Sequence, residues 1–336
     1  MRVGAIAGLA GLVSCFSGVS CAGDHVRGEP ASVAHPVASQ TVSGTPAGAS
    51  SPGSPRGPLT IAEARRYMVV LINRDRATLG LPPVALDEGA ATRAGQGHAE
   101  DMAENGYLGH WGLDGSVPEQ RYTQAGGADM DLENVSCFTD ERHRTLDAAP
   151  PIDPAQIENT ESMFFNEVPP NDGHRKNILK RWHKKVGIGI AQPRATPTEI
   201  PVPCVSQEFT DDYGAYAAIP KTARIGDRLH VEGKMVAPAL PVGVGLARVD
   251  FPKTLTTSDA NARRAYPVPR PYQMYWPVGY ETPIPLAVKG EKFAIDVPLG
   301  QGQKPGLYEL SIWAKLPDSP DFQVVSLRTM RVDAAD

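Results

Sequence analysis

The sequence is short of cysteine, with only 4 in 336 residues, and no long basic block appears anywhere in it. Its formal net charge is -5, from 33 Lys and Arg against 38 Asp and Glu. That balance argues against nucleic acid as the main partner and serves solubility. The apolar run near the start, "VGAIAGLAGLVS", is too short to span a bilayer. Three catalytic signatures are missing as well: G-x-S-x-G, H-E-x-x-H and the P-loop. What is there is globular in character, 41% hydrophobic and 21% charged, though with 32 Pro and 33 Gly. The length accommodates two ordinary domains.

Residues 1–21 read as an export signal, with Met1-Arg2 as a minimal positive start before the apolar run. Two cysteines follow it, Cys15 in "LVSC" and Cys21 in "GVSC", and both resemble a bacterial lipobox, whose cysteine is acylated. Leu12 makes the first the better local match. Processing at Cys21 instead removes Cys15 and leaves Cys137 and Cys204, a pair suited to one disulfide in an exported chain. Cleavage after Ala22 with full secretion is the alternative. Residues 22–58 are rich in Ser, Gly, Pro, Ala and Thr and cannot bury enough surface to order themselves. They form a tether with a reach on the order of 35 Å. The membrane is thus reached through a lipid anchor rather than a transmembrane helix, placing the protein at the cell envelope.

Folded sequence begins at about residue 59. "TIAE" (60–63) is a capping box, and Ile61, Ala64, Met68, Leu71, Ile72 and Leu79 recur at helical spacing up to Gly80. Asp87 caps a second helix running to about Asn105, with Ala91, Ala94, His98 and Met102 on one face; His98 there reads as a packed core histidine. Asp153 and Pro154 open a third helix, with Ile157, Phe164, Phe165 and Val168 facing inward. Residues 184–192 and 203–214 have strand lengths and patterns. Helices followed by strands in this order point to an α+β domain.

The blocks "YLGHWGLDG", "LENVS", "DGHRKNIL", "VGIGIA" and "VSQEF", in this order and spacing, resemble the CAP superfamily. That superfamily comprises cysteine-rich secretory proteins, antigen 5 and pathogenesis-related proteins and carries the SCP domain; the likeness is closest to its bacterial branch. The resemblance covers residues 59–217 and implies a three-layer α-β-α sandwich with a central cleft of two histidines and two acids. By motif these are His110, Glu133, His174 and Glu167, the last in "FFNEV". Leu132 stands where the family has glycine. Imidazoles on two segments can hold Zn²⁺ or another divalent metal with positions open to water, so His110 and His174 are the candidate ligands. Glu133 and Glu167 could orient them or, in an enzyme, act as bases. A hydrogen-bonded polar network without metal is the plainer alternative. The segment 138–151 reads as a solvated insertion.

From residue 219 to 336, five stretches read as strands: "RLHVEGKMV", "VGVGLARVDF", "EKFAIDVPL", "GLYELSIWAKL" and "FQVVSLRTMRV". Phe293, Ile295 and Val297 alternate, as do Tyr308, Leu310, Ile312 and Ala314. This is the pattern of an all-β immunoglobulin-like sandwich. Tyr272, Tyr275, Trp276 and Tyr280 lie in a proline-rich stretch that either seals the sandwich edge or forms a stacking surface for a glycan or protein partner. Three functions are consistent with these readings. The favoured one is a binding module for a small lipid-like or peptide ligand. The others are a metal-assisted hydrolase using the same cleft and a structural or adhesive envelope protein acting through the second domain.

Overall fold

The computed structural model describes residues 53–197, 201–263, 265–300, 302, 304–317 and 319–335. The expected signal segment with Cys15 and Cys21, and most of the expected tether, lie outside the described residues. No helix among the described residues is long and apolar enough to cross a membrane.

Alternation of glycine with larger residues in β3 (Lys185–Ala191) sets the layering of the first domain. Successive side chains on a strand point to opposite faces, so one face of β3 is bulky and the other nearly bare. Val186, Ile188 and Ile190 form a core with Val205 and Phe209 of β4 (Cys204–Thr210). Covering that face are α1 (Ile61–Ala77), α4 (Pro154–Phe165) and α5 (Gly173–Leu179). Gly187 and Gly189 turn to α2 (Ala90–Asn105), where a Cβ on Gly189 would lie 2.1 Å from the Gly95 carbonyl oxygen. Helix backbone therefore rests directly on sheet backbone. The sheet has the order β1–β3–β4–β2, with β1 (Ala85–Leu86) parallel to β3 and β2 (Asp131–Ser136) antiparallel to β4. Helices on both faces make the expected α-β-α sandwich. The Cys137–Cys204 disulfide ties the end of β2 to the start of β4.

The capping box of Thr60 and Glu63 starts α1, and Asp153 caps α4 with Pro154 in its first turn. Three local expectations are corrected. Helix α1 stops at Ala77, because the chain turns there towards Gly80 at φ +66°, and Leu79 is 57% exposed beyond it. Val168 lies past the end of α4 and is 70% exposed. The N-cap of α2 is Gly89, although the Asp87 carboxylate still accepts from the Gly89 and Ala91 amides.

The second domain consists of two facing sheets. One joins β10 (Ala287–Lys289), β11 (Lys292–Pro298), β7 (Arg228–Met235) and β5 (Gly214–Tyr216) in that order. The other joins β6 (Thr222–Arg224), β13 (Gln323–Asp333), β12 (Gly306–Lys315), β8 (Leu240–Val249) and β9 (Gln273–Tyr275). Phe293, Ile295 and Val297 of one sheet meet Tyr308, Leu310, Ile312 and Ala314 of the other in a single core. Because β5 pairs with β7, this domain takes up the chain at Gly214, ahead of the expected boundary after residue 217. Within the aromatic stretch Tyr275 is buried and Tyr272 packs on the core, while Trp276 tilts against Tyr280 and Phe322. Tyr275 and Tyr272 thus seal the sandwich, while Tyr280 is 61% exposed.

The two domains share an interface. The amide of Met130 donates to the Val325 carbonyl at 3.0 Å, and that of Thr329 to the Thr123 hydroxyl at 3.2 Å. Beyond β8 the chain reaches back over the first domain through α6 (Thr257–Ala262). Ala260 of α6 lies in one apolar cluster with Ala99, Met102 and Tyr107.

Candidate functional site

β2 is an edge strand, and the candidate residues gather along its outer side. On one face, Glu133 Oε1 accepts from His110 Nδ1 at 2.8 Å, and Oε2 accepts from an Arg121 guanidinium nitrogen at 2.6 Å. Arg121 belongs to α3 (Pro118–Gln124) and also donates to the carbonyls of His110 and Ser116, at 3.0 Å each. Burial works against the charge on Glu133, but Arg121, His98 and His110 outweigh it and hold the carboxyl well below the usual range.

The second pair lies where α4 ends and α5 begins. After Phe165 the chain turns through a Pro-Pro-Asn-Asp-Gly stretch, which brings Glu167 beside the first turn of α5. Glu167 Oε1 accepts from His174 Nδ1 at 2.6 Å, and Oε2 accepts from the His174 and Arg175 amides at 2.8 and 3.4 Å. The structure thus pairs each motif histidine with an acid, His110 with Glu133 and His174 with Glu167.

Buried amides join the two pairs. Asn177 donates to the Glu133 carbonyl at 3.2 Å and to Asn134 Oδ1 at 2.9 Å. Asn134 donates to the His174 carbonyl at 3.2 Å and to Gln207 at 2.9 Å, and Gln207 donates in turn to Glu161 at 2.6 Å. Helix α5 is thereby stitched to the free edge of β2. Glu161 is fully buried, and burial, with the charge on Asp75, pushes its carboxyl up to about 8.

His98 is a core histidine, as expected. Its Nε2 donates to the Gly109 carbonyl at 2.8 Å, behind the loop that carries His110. Burial, with the charge of Arg121 adding to it, lowers its pKa to about 4, so the ring is neutral at physiological pH. Two more acids, Asp131 and Glu208, share the face of Glu133; Glu208 is its register partner across β4. Burial drives both well above the usual carboxylate range.

Arg121, Asn134, Asn177, Gln207 and Glu208 were missed as site residues by sequence reasoning. The need for a cation such as Arg121 emerges only once the strands are placed. Asp131, Glu133 and Glu208 fall on inward strand positions, and buried acids in such number need a cation. The second domain also supports the site: the Asn261 side chain accepts from the Leu108 amide at 2.9 Å, and Trp111 lies against Tyr266 and beneath Arg263. Two cavities of about 280 and 200 Å³ lie elsewhere, one lined by Tyr67, Arg74 and Glu158, the other by Gln96, Glu100 and Ile190.

Residues 69–200 match the model of the cysteine-rich secretory protein family, CAP. The first domain of this chain belongs to the CAP superfamily. Among solved structures the chain is similar to an extracellular protein containing an SCP domain from Bacillus anthracis str. Ames, at 22% identity and TM-score 0.32, over 46% of this chain and 44% of that one. It is also similar to a chitin binding domain from Burkholderia pseudomallei, at 12% identity and TM-score 0.20, over 33% of this chain and 55% of that one. The chain thus spans about half the length of either. No curated protein matches it.

Proposed function

We propose that this chain is an exported cell-envelope protein whose CAP cleft binds a small lipid-like or peptide ligand, with a divalent cation such as Zn²⁺ at His110 and His174. The observation that supports it is the doubled pairing of imidazole with carboxylate, His110 with Glu133 and His174 with Glu167. A carboxylate at Nδ1 fixes the proton there and leaves the lone pair on Nε2, the arrangement a metal ligand needs. Among the described residues no group of three or more His, Cys, Asp or Glu side chains is arranged to hold a metal ion. A cation at the two imidazoles would therefore take its other ligands from water or from the bound molecule.

Binding is favoured over hydrolysis by what the acids already do. Glu133, held ionised between Arg121 and His110, is a weak base. Glu167 is engaged with three N–H groups of His174 and Arg175. Calorimetric titration of the full chain with Zn²⁺ is expected to show binding that weakens at least about tenfold in H110A and in H174A. Equal uptake by the variants would count against the cleft. Zn²⁺-dependent ester or peptide cleavage abolished by E133Q would favour the hydrolase instead. The second domain is read as immunoglobulin-like from its two facing sheets over one core. Anchoring through Cys21 or Cys15 is tested by detergent-phase partition of C15S and C21S; a protein that stays aqueous with both cysteines intact is not lipidated.

A further inference from the structure

The outer face of the β10–β11–β7–β5 sheet carries three lysines in one line. Lys289 of β10 lies opposite Lys292 of β11, and Lys292 lies opposite Lys234 of β7. Residues directly opposite in a ladder share a face, so the row crosses the strands over about 10 Å. All three residues are exposed. None of the three forms an ion pair within the described residues. The acids of the same face, Glu232 and Asp296, are turned to His230 instead, at 3.6 and 2.7 Å.

Such a row has a cost, because like charges directly opposite one another weaken strand pairing. Lysine on an edge strand guards against edge-to-edge association, but of these strands only β10 is an edge; β11 and β7 lie inside the sheet. Edge protection leaves Lys292 and Lys234 unexplained.

The surroundings of the row are cationic and apolar together. The Met235 amide donates to the Glu291 carbonyl at 2.8 Å, which joins the turn after β7 to the tip of the β10–β11 hairpin. That turn leaves Val236 59% exposed and, at its far end, Leu240 51% exposed. The Val236 amide donates to the Tyr213 carbonyl at 2.8 Å, and the exposed Lys184 of the first domain stands over the Tyr213 ring at 5.1 Å. Two acids lie among these segments: Glu291 at the hairpin tip, and Asp212, which is turned to Lys185 at 2.6 Å.

We propose that this end of the second domain docks on a bilayer bearing anionic headgroups, with Lys184, Lys234, Lys289 and Lys292 at the level of the phosphates and Val236 and Leu240 dipping below it. The inference goes beyond the binding function above; it holds whatever the cleft takes and whether or not an N-terminal cysteine is acylated. Charge complementarity selects an anionic partner. The two exposed aliphatic side chains select a bilayer over a soluble polyanion, which offers them no apolar phase. Each lysine at an anionic membrane surface strengthens binding roughly fivefold, and salt screens the attraction.

Co-sedimentation of the full chain carrying C15S and C21S, which leaves neither cysteine to be acylated, tests this. Phosphatidylcholine vesicles with one-third phosphatidylglycerol should bind it at least about thirtyfold more tightly than phosphatidylcholine alone. K234Q/K289Q/K292Q should lose at least about thirtyfold of that binding, with no fall in melting temperature, since it removes like charges from opposite positions. V236S/L240S should lose at least about threefold on the vesicles and nothing on soluble polyphosphate. Equal binding to neutral vesicles, or undiminished binding by the triple lysine variant, overturns the proposal. Capture of polyphosphate without capture of vesicles also overturns it. Should the triple variant fold poorly, salt decides: release of the unmodified lysines from anionic vesicles between about 0.05 and 0.5 M NaCl supports the docking, and retention at the higher concentration overturns it.

Discussion

Arg121 meets Glu133 at 2.6 Å inside a group of acids that includes Asp131 and Glu208, all of them buried. Removing the guanidinium would leave Glu133 as a buried charge with only imidazole partners. R121M is therefore expected to lose on the order of 3–5 kcal/mol of stability by urea unfolding at neutral pH, with R121M/E133Q recovering more than half. Equal losses in both would mean that Arg121 acts by packing alone. Glu161 provides a second test, through pH. Folded Glu161 keeps its proton up to about 8, whereas an ordinary glutamate gives it up near 4.5. The folded chain then binds more protons between these values, so the stability contributed is full below 4.5 and is lost as pH rises to about 8. E161Q should flatten that part of the profile by a few kcal/mol, on the order of 1.4 kcal/mol per unit; an unchanged slope in thermal unfolding against pH would show that Glu161 is not its source. His110, Glu133, His174 and Glu167 were named through motif resemblance, and the structure brings them together as two pairs. Arg121 was not, since a cation in "PEQRYTQ" looks like any solvated helix charge until the strand acids are placed around it.

At the scale of elements, glycine positions separate two roles that look alike in sequence. Gly189 lies where β3 touches α2, and a Cβ there would approach the Gly95 carbonyl carbon to 2.2 Å. G189A must push the helix off the sheet, at a cost of about 1–3 kcal/mol or more. Gly97, in the same helix but facing outward, has nothing within 4 Å of its would-be Cβ. G97A should instead stabilise by about 0.5–1 kcal/mol, since alanine loses less backbone entropy. Opposite signs in the two melting temperatures confirm the contact; the same sign would place α2 differently. Strand alternation and helix caps were readable because each depends on neighbours within a few residues. The end of α1 was misplaced by two residues because apolar Leu79 continues the helical period while the backbone leaves it at Ala77.

For the whole molecule, the sequence suggested two domains in series, and the structure shows the second reaching back into the first. Periodicity reports which face of an element is buried, not which distant element buries it, so the short helix α6 and its packing on the first domain had no signal in the sequence reading. Its Ala260 is 1% exposed and packs with Ala99, Met102 and Tyr107 of the CAP domain. Its carbonyl also lies 3.3 Å from where a Cβ on Gly109 would stand, beside His110. A260L therefore has no room and should weaken this contact by about 1–3 kcal/mol. The loss should be local, because neither core cluster, that between the two sheets nor that under α1, includes Ala260. Hydrogen exchange on A260L is expected to show faster opening over 108–115 and 251–263, with β7, β11 and β3 keeping their protection. Loosening of all these elements together would make the two domains a single cooperative unit, and the cleft loop would then have no separate motion for a ligand to control.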